Sequence, residues 1–168
     1  RVHKWPPLSL GYPWQTYSDC RHRLIRGNGS PGLAKRKPEV KFDDELGDEA
    51  DPAWATDIDQ GIFHGSVAME EVVFFHRQSR CAIVCDLIQR HSEAEMFGWK
   101  GWLMRMDGLV GERGSTPREW RASFLQRKLA RAARDKVLSW NPERLVIAHG
   151  DCAQTGAREI ISNSLSWI

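Results

Sequence analysis

The chain has 168 residues, enough for one domain with a hydrophobic core. Hydrophobic residues make up 41% of it and charged residues 27%, which is ordinary for a globular protein, and the net charge of +2 favours no particular charged partner. No stretch approaches the roughly 20 apolar residues that cross a membrane, and no signal peptide opens the chain. We therefore predict a cytoplasmic protein with no membrane partner. Because the first residue is Arg1 and not Met, we also expect a processed, truncated or fragmentary product.

Residues 1–30 differ in composition from the rest of the chain. They combine prolines, glycines and scattered aromatic residues without a helical or strand period, and residues 27–32 are rich in turn-forming residues. We predict an irregular arm over residues 1–30 and a folded domain over residues 31–168. The acidic stretch at residues 38–53 lacks the spacing of a calcium-binding EF-hand loop, which favours a solvated surface loop.

A strand and a hairpin are predicted next. Strand character begins at Ile58 and leads to His64. Two runs rich in β-branched and aromatic residues, 71–75 and 81–85, are separated by five polar residues, which is typical of a β-hairpin. Residues 99–106 carry several large apolar side chains and are predicted to form a helix or a packed loop.

One long helix is predicted over residues 117–140. Residues 116–119 have the pattern of a capping box, with proline at the first helical position. Apolar residues at helical spacing predict a buried stripe along this helix, made of Trp120, Phe124, Leu125, Leu129, Ala132, Ala133, Val137 and Trp140. A strand at residues 144–148 and a last helix from Gly156 follow. The order strand, hairpin, helix, strand, helix predicts an α/β layered fold.

The end of the last predicted strand is the most informative stretch. Residues 145–148 are a continuous apolar run, which predicts a strand buried on both faces in the middle of a sheet. This run leads directly into His149, and Asp151 follows after a glycine; residues 81–85 lead in the same way into Asp86. Because ligands bind at the carboxyl ends of parallel strands, we predict that Asp86 and His149 bind a metal, with Asp151 as a ligand or as an orienting residue. The alternative is an aspartate that caps a turn and a histidine held by structural hydrogen bonds.

Two further features have both a functional and a structural interpretation. His64 follows an apolar pair and precedes a turn, so it is either a third metal ligand or a surface histidine. On the predicted helix, Arg127, Arg131 and Arg134 share one face. This face either binds nucleic acid or another anion, or it is a solvated face whose charge the acidic loop offsets.

The four cysteines are predicted to be free thiols in a reducing compartment. None forms a C-x-x-C pair, and Cys81 and Cys85 lie too far apart along one strand to bridge. Cys85 and Cys152 each adjoin a candidate ligand, so thiolate coordination is the alternative.

Several segments together resemble an uncharacterised bacterial family, a domain of unknown function related to the metallo-β-lactamase fold. The resemblance covers residues 30–168 and rests on segments that occur in the right order: Pro31-Gly32-Leu33-Ala34-Lys35, Phe42-Asp43-Asp44-Glu45-Leu46-Gly47-Asp48, Glu71-Val72-Val73-Phe74-Phe75-His76-Arg77, Asp86-Leu87-Ile88 and Ala148-His149-Gly150-Asp151.

This resemblance implies an αββα sandwich with a metal site at the edge where its two sheets meet. In the wider superfamily an aspartate after a central strand bridges two metals, and Asp86 occupies the matching position. A histidine in a strand-end His-Gly supplies a late ligand, and His149 matches it. The implied activity is hydrolysis of an ester, amide, thioester or phosphodiester in a small-molecule substrate, with zinc or another divalent metal as cofactor.

The chain departs from that superfamily towards its N-terminus. The H-x-H-x-D-H motif is absent, and much of the N-terminal half of the sandwich is missing or replaced. We therefore expect a partial metal site made of Asp86 and His149, with His64 and Asp151 as further candidates and no assigned catalytic residue. Missing strands also expose hydrophobic sheet edges, which predicts self-association. The alternatives are a non-catalytic remnant of the fold or a binding domain, and an anionic-ligand or nucleic-acid binder that uses the basic helix 117–140.

Overall fold

A four-stranded sheet with helices on one face organises the chain. The structure is a computed structural model that describes residues 27–168. Its strands are β1 (Asn28–Gly29), β2 (Asp44–Glu45), β3 (Ile58–Phe63), β4 (Glu71–His76), β5 (Cys81–Arg90) and β6 (Arg144–Gly150). Its α-helices are α1 (Leu33–Arg36), α2 (Gly98–Met106), α3 (Arg118–Ser123), α4 (Arg127–Ser139) and α5 (Ala157–Ser164). The predicted α/β class is confirmed.

The predicted hairpin forms the centre of the main sheet. β4 pairs antiparallel with β3 on one side and with β5 on the other, and β6 pairs parallel with β5. The strand order is therefore β3-β4-β5-β6, while β1 and β2 form a separate parallel pair. The parallel pairing brings the carboxyl ends of β5 and β6 to the same edge of the sheet, as the strand-end prediction required.

The hydrophobic core lies between the sheet and helices α4 and α5. Val73, Val84 and Leu145 of the sheet pack in one cluster with Val137 of α4 and Ile161 of α5, and all five are at most 2% exposed. Burying a side chain of this size contributes roughly 1.5–3 kcal/mol relative to leaving it in water. This face of the sheet is therefore the one on which the fold depends.

The opposite face, which we call the outer face, is covered over only part of its width by residues 27–168. One row of it crosses the four strands at Gln60, Phe74, Ile83 and Val146. Over β3, Gln60 is buried; its amide donates to the Gly47 carbonyl at 2.7 Å and accepts from Trp54 Nε1 at 3.3 Å. Over β5 and β6, Ile83 is 38% exposed and Val146 is 43% exposed.

The prediction that the last strand is buried on both faces in mid-sheet is wrong for the described sheet. β6 is the terminal strand of that sheet, and its burial alternates at Leu145, Val146 and Ile147, with Val146 exposed on the outer face. A continuous apolar run shows that a strand has two apolar faces. It does not show whether anything covers the second one.

The long helix predicted over residues 117–140 is interrupted. α3 ends at Ser123, α4 begins at Arg127, and Phe124 between them is inserted into the core. Across the break, the Ser123 carbonyl accepts the Val67 N–H and Gln126 donates its N–H to the Gly65 carbonyl, each at 3.0 Å. These contacts to the segment after β3 replace the hydrogen bonds of a continuous helix. The predicted stripe is therefore split.

Three members of the predicted stripe, Leu125, Leu129 and Ala132, are exposed. The predicted capping box also does not form. Pro117, which has no side-chain oxygen, caps α3, and the hydroxyl of buried Thr116 accepts a hydrogen bond from Trp167 Nε1 at 3.0 Å. The Thr116 hydroxyl, which a capping box would use, thus forms a tertiary hydrogen bond with Trp167.

Other predictions are confirmed in outline. The last helix begins after Gly156 as predicted, residues 99–106 are helical, and the acidic stretch is mostly exposed. Of the predicted arm, residues 27–30 contain β1, while residues 1–26 lie outside the described residues. No helix within residues 27–168 is long and apolar enough to span a membrane.

Replacing Gly150 with alanine should strongly destabilise the protein. Gly150 has a φ of 109°, and a Cβ built there would lie 2.0 Å from the Arg90 carbonyl oxygen. We expect Gly150→Ala to lower the free energy of unfolding by about 3 kcal/mol or more, measured by urea denaturation. Gly156→Ala is the matched control, because Gly156 has a φ of 72° with nothing within 4 Å and should cost only about 1–2 kcal/mol. Equal losses in the two variants would contradict the proposed clash.

Candidate functional site

The candidate site begins with an irregularity in β5. The register between β5 and β6 shifts between Val84 and Gln89, so residues 85–88 leave the regular ladder. Bulges of this kind re-aim side chains next to functional sites. Here Leu87 and Ile88 turn into the core, while Cys85 and Asp86 stay exposed.

A buried carboxylate holds this bulge in place. Glu71, the first residue of β4, is 6% exposed. Its carboxylate accepts the backbone N–H groups of three consecutive residues of the bulge, those of Cys85 at 2.8 Å, Asp86 at 2.9 Å and Leu87 at 2.7 Å. The bulge would otherwise leave these donors without partners, because they do not pair with β6.

The pKa of Glu71 is raised from its ordinary value of 4.5 to about 6. Burial of the carboxyl is the largest cause, because the charged form loses its hydration. The three N–H groups act in the opposite direction and lower the pKa, while the nearby Asp86 raises it. Desolvation therefore outweighs the favourable hydrogen bonds.

The bulge presents Asp86 to His149 at the end of β6. His149 Nε2 lies 2.8 Å from Asp86 Oδ1, and the two side chains are 49% and 54% exposed. The structure thus brings together the two residues that the sequence placed at separate strand ends. The pair joins an imidazole nitrogen and a carboxylate oxygen, both of which bind zinc and other divalent cations. It equally forms the structural hydrogen bond that the alternative interpretation required.

A cavity of about 360 Å³ opens beside Asp86. Its walls combine apolar side chains with a few polar groups, and Asp86 and the cationic Arg36 both line it. Its lining includes Arg36, Phe74, Cys85, Asp86 and Trp120. The volume lies within the range of small-molecule sites.

His64 is held elsewhere by two carboxylates. Its Nδ1 lies 2.8 Å from Glu70 Oε1 and its Nε2 lies 2.9 Å from Asp48 Oδ1. Burial of the ring lowers the pKa of His64, but the hydrogen bonds and charges of Glu70 and Asp48 outweigh it, so the net shift is upward. The two carboxylates lie on opposite ring nitrogens, so these three residues do not converge on one point.

Asp151 also stays apart from the Asp86–His149 pair. Its backbone N–H donates to the Arg90 carbonyl at 2.6 Å, and its carbonyl accepts from the Arg90 guanidinium at 3.0 Å. It lines a different depression, together with His91 and Glu112. Within residues 27–168, no three His, Cys, Asp or Glu residues are grouped so as to hold a metal.

The described cysteines, Cys81, Cys85 and Cys152, are free. Burial raises the pKa of the Cys85 thiol, and the neighbouring carboxylates of Glu71 and Asp86 raise it further.

Part of the basic surface of α4 has structural partners. Arg134 donates to the Ile168 carbonyl and pairs with Asp135, and Lys136 donates to the Asp48 carbonyl at 2.7 Å and lies 3.6 Å from Glu49. The acidic loop therefore offsets one of the helix charges, as the structural interpretation expected. Arg127, Lys128 and Arg131 are exposed and form no ion pair with any residue in the described range 27–168.

Glu71 is the residue of this site that sequence reasoning did not identify. Its signal was a carboxylate at the head of the apolar run 71–75, in a register position shared with the core-facing residues Val73 and Phe75. A charge at such a position requires a buried partner. The sequence does not show that the partner is the backbone of another strand.

Comparison with known proteins gives no assignment for the chain. No protein-family model matches the sequence, and no curated protein has significant sequence similarity to it.

The stability of the protein should carry a pH dependence that comes from Glu71. Because its pKa is raised on folding, the stabilisation is fully present below about pH 4.5 and is lost as the pH rises through about 6. The shift corresponds to about 2 kcal/mol, by which the free energy of unfolding should fall between these limits. Glu71→Gln should remove this component, measured as the difference between urea denaturation curves of the variant and the wild type from pH 4 to pH 8.

Glu119→Gln is the control for that experiment, since Glu119 is an exposed carboxylate in the first turn of α3. Its curve should run parallel to that of the wild type. If the Glu71→Gln curve is also parallel to the wild type, the raised pKa is refuted.

His64 should titrate above its ordinary pKa of 6.5, because Glu70 and Asp48 favour its charged form. The stabilisation that this protonated form contributes is present below pH 6.5 and is lost as the pH rises through the raised pKa. Glu70→Gln should lower the pKa of His64, measured by NMR titration of the ring protons. An unchanged titration would show that the Nδ1 contact does not hold in solution.

Proposed function

We propose that this chain is a metal-binding, hydrolase-like domain with a metallo-β-lactamase-type sandwich, in which Asp86 and His149 supply part of a divalent cation site. The observation that carries the proposal is the 2.8 Å approach of Asp86 Oδ1 and His149 Nε2 at the shared carboxyl edge of β5 and β6. Ligands of layered α/β proteins bind at this edge.

The arrangement of layers supports the sandwich. Helices α4 and α5 pack on one face of the main sheet, while the outer face of β5 and β6 carries exposed apolar residues such as Ile83 and Val146. In an αββα sandwich, that outer face is the one that meets the second sheet. A sheet with two apolar faces is what such a fold requires.

The donor atoms fit a divalent cation in kind and nearly in spacing. Tetrahedral zinc holds neighbouring ligand atoms roughly 3.3 Å apart, so a small opening of the 2.8 Å pair would admit the ion. The number of donors fits less well, because catalytic zinc sites have three protein ligands and residues 27–168 group only two here. We therefore expect weaker binding than that of a complete site. When bound, a cation would supply Lewis-acid chemistry and would lower the pKa of water.

The cavity beside Asp86 suits a small-molecule substrate. Phe74 and Trp120 offer apolar surface in the cavity beside Asp86, and Arg36 offers a positive charge at its wall. Glu71 positions the backbone that carries Asp86 through its three hydrogen bonds. Glu71 is thus a positioning residue, and no catalytic residue is assigned.

The alternatives receive less support. A non-catalytic domain that retains the fold remains the alternative in which the Asp86–His149 contact is only structural. Nucleic-acid or other anion binding through the basic helix is weakened because Arg134 and Lys136 already have partners within the fold. The free thiols of Cys81, Cys85 and Cys152 favour a reducing compartment such as the cytoplasm.

Metal titration tests the proposal. Purified protein, freed of metal, is titrated with Zn²⁺ and separately with Mn²⁺, and bound metal is measured by equilibrium dialysis. We expect one saturable site in the wild type and at least tenfold weaker binding in Asp86→Asn and in His149→Gln, since each removes one of two donors. His76→Gln is the matched control, because His76 contacts Ser79 and neither member of the pair.

The outcome separates the interpretations. Equal metal binding by the wild type and both site variants would refute the proposed site. If Asp86→Asn and His149→Gln change only the unfolding midpoint and the wild type binds no metal, the non-catalytic alternative is the correct one. Loss of binding in His64→Gln would add His64 to the ligands, contrary to its position between Glu70 and Asp48.

A further inference from the structure

Helix α2 presents its apolar side to solvent. Trp99, Trp102, Leu103 and Met106 follow one another at the three- and four-residue spacing that places side chains on one helix face. They are between 46% and 69% exposed, and Phe97 just before the helix is 78% exposed. We call these five residues the α2 stripe. The only buried residue of the helix is Gly101, on the opposite side.

The packing of Gly101 explains this orientation. A Cβ at Gly101 would lie 2.4 Å from the Met96 carbonyl oxygen, so the helix rests closely on the chain that precedes it. Gly101 is buried and Met104, about 60° away around the helix, is half-buried, so this side of α2 faces the protein. The large apolar residues are therefore held outward by the fold, which leaves them without partners among residues 27–168.

We propose that the α2 stripe is the contact surface of a symmetric dimer of this chain. One aromatic residue offers roughly 150–250 Å² when it becomes buried, so three partly exposed aromatic residues with Leu103 and Met106 present on the order of 500 Å². A contiguous apolar patch of this size is as large as the largest patch on a typical monomer, and such patches are often functional. A stable interface requires about 800 Å² from each partner, and the stripe supplies more than half of that area.

The order of residues in the stripe suits pairing with its own copy. In an antiparallel pair of α2 helices whose two-fold axis passes between Trp102 and Leu103, Trp99 of one copy lies level with Met106 of the other. Likewise, Trp102 of one copy lies level with Leu103 of the other. A flexible methionine adapts to an indole ring and makes favourable sulfur–aromatic contacts. Each large rigid side chain thus meets a smaller aliphatic one.

The charges of α2 fit the same arrangement. At 100° per residue, Lys100 and Arg105 project from opposite flanks of the stripe, so both cations lie at the rim of the pair and neither is buried. Rims of protein interfaces are polar while their centres are apolar. The overall net charge of +2 opposes association only weakly.

Sedimentation equilibrium of the full chain from about 1 to 200 µM tests the proposal, because an interface below the standard size is typical of weak association. We expect a monomer–dimer equilibrium whose dissociation constant rises roughly tenfold or more in Trp99→Glu and in Trp102→Glu. Leu125→Glu is the matched control, since Leu125 is a 72% exposed apolar residue outside α2. It should leave the dissociation constant unchanged, and circular dichroism should show that all variants are folded.

Other results would overturn the proposal. A wild-type monomer over the whole concentration range excludes a dimer, whether the stripe is then open or covered from within the chain. A dimer that persists in both tryptophan variants but dissociates in Val146→Glu would assign association to the outer face of the sheet instead. Neither result bears on the metal site, because Asp86 and His149 are not part of the stripe.

Discussion

The carboxylate of Glu71 is the constraint on which the candidate site depends. A bulge of residues 85–88 in a paired strand removes backbone donors from the sheet, and a buried unpaired donor costs about 1–3 kcal/mol. Glu71 accepts three of these donors at once, which makes the bulge stable in the folded state. The same burial that makes this contact raises the pKa of the carboxyl group to about 6. Positioning of Asp86 is therefore linked to a group that titrates near neutral pH.

The contact between Asp86 and His149 follows from two exceptions to regular strand geometry. The bulge moves Asp86 out of the ladder, and Gly150 adopts a φ of 109° directly after His149 so that β6 can pass close to Arg90. A regular strand would have placed the side chains of residues 85–88 strictly in alternation. Irregular backbone that is held in place by specific contacts is common where a protein orients functional groups.

Much of the fold was predictable from local patterns, and the errors have physical causes. The β-rich runs around residues 76–80 predicted the hairpin because strand preference and a polar turn agree there. The prediction of an uninterrupted helix was wrong because Ser123 and Gln126 form backbone hydrogen bonds with the segment after β3, and local sequence patterns do not show such tertiary contacts. The sequence placed Asp86 and His149 at strand ends. Their mutual distance depends on the parallel pairing of β5 with β6, which only the assembled sheet supplies. The role of Glu71 was not predicted for the same reason, since the backbone N–H groups that it binds belong to another strand, β5.

The parallel pairing of β5 and β6 also has a kinetic consequence. Asp86 and His149 are 63 positions apart in the chain, and α2, α3 and α4 all lie between them. The β4–β5 hairpin closes through a short turn, while the β5–β6 pair requires closure of a long loop with its larger entropy cost. We therefore expect the hairpin to form early in folding and the two halves of the site to meet late. During synthesis, Asp86 and its Glu71 anchor would leave the ribosome together, well before the strand that carries their partner.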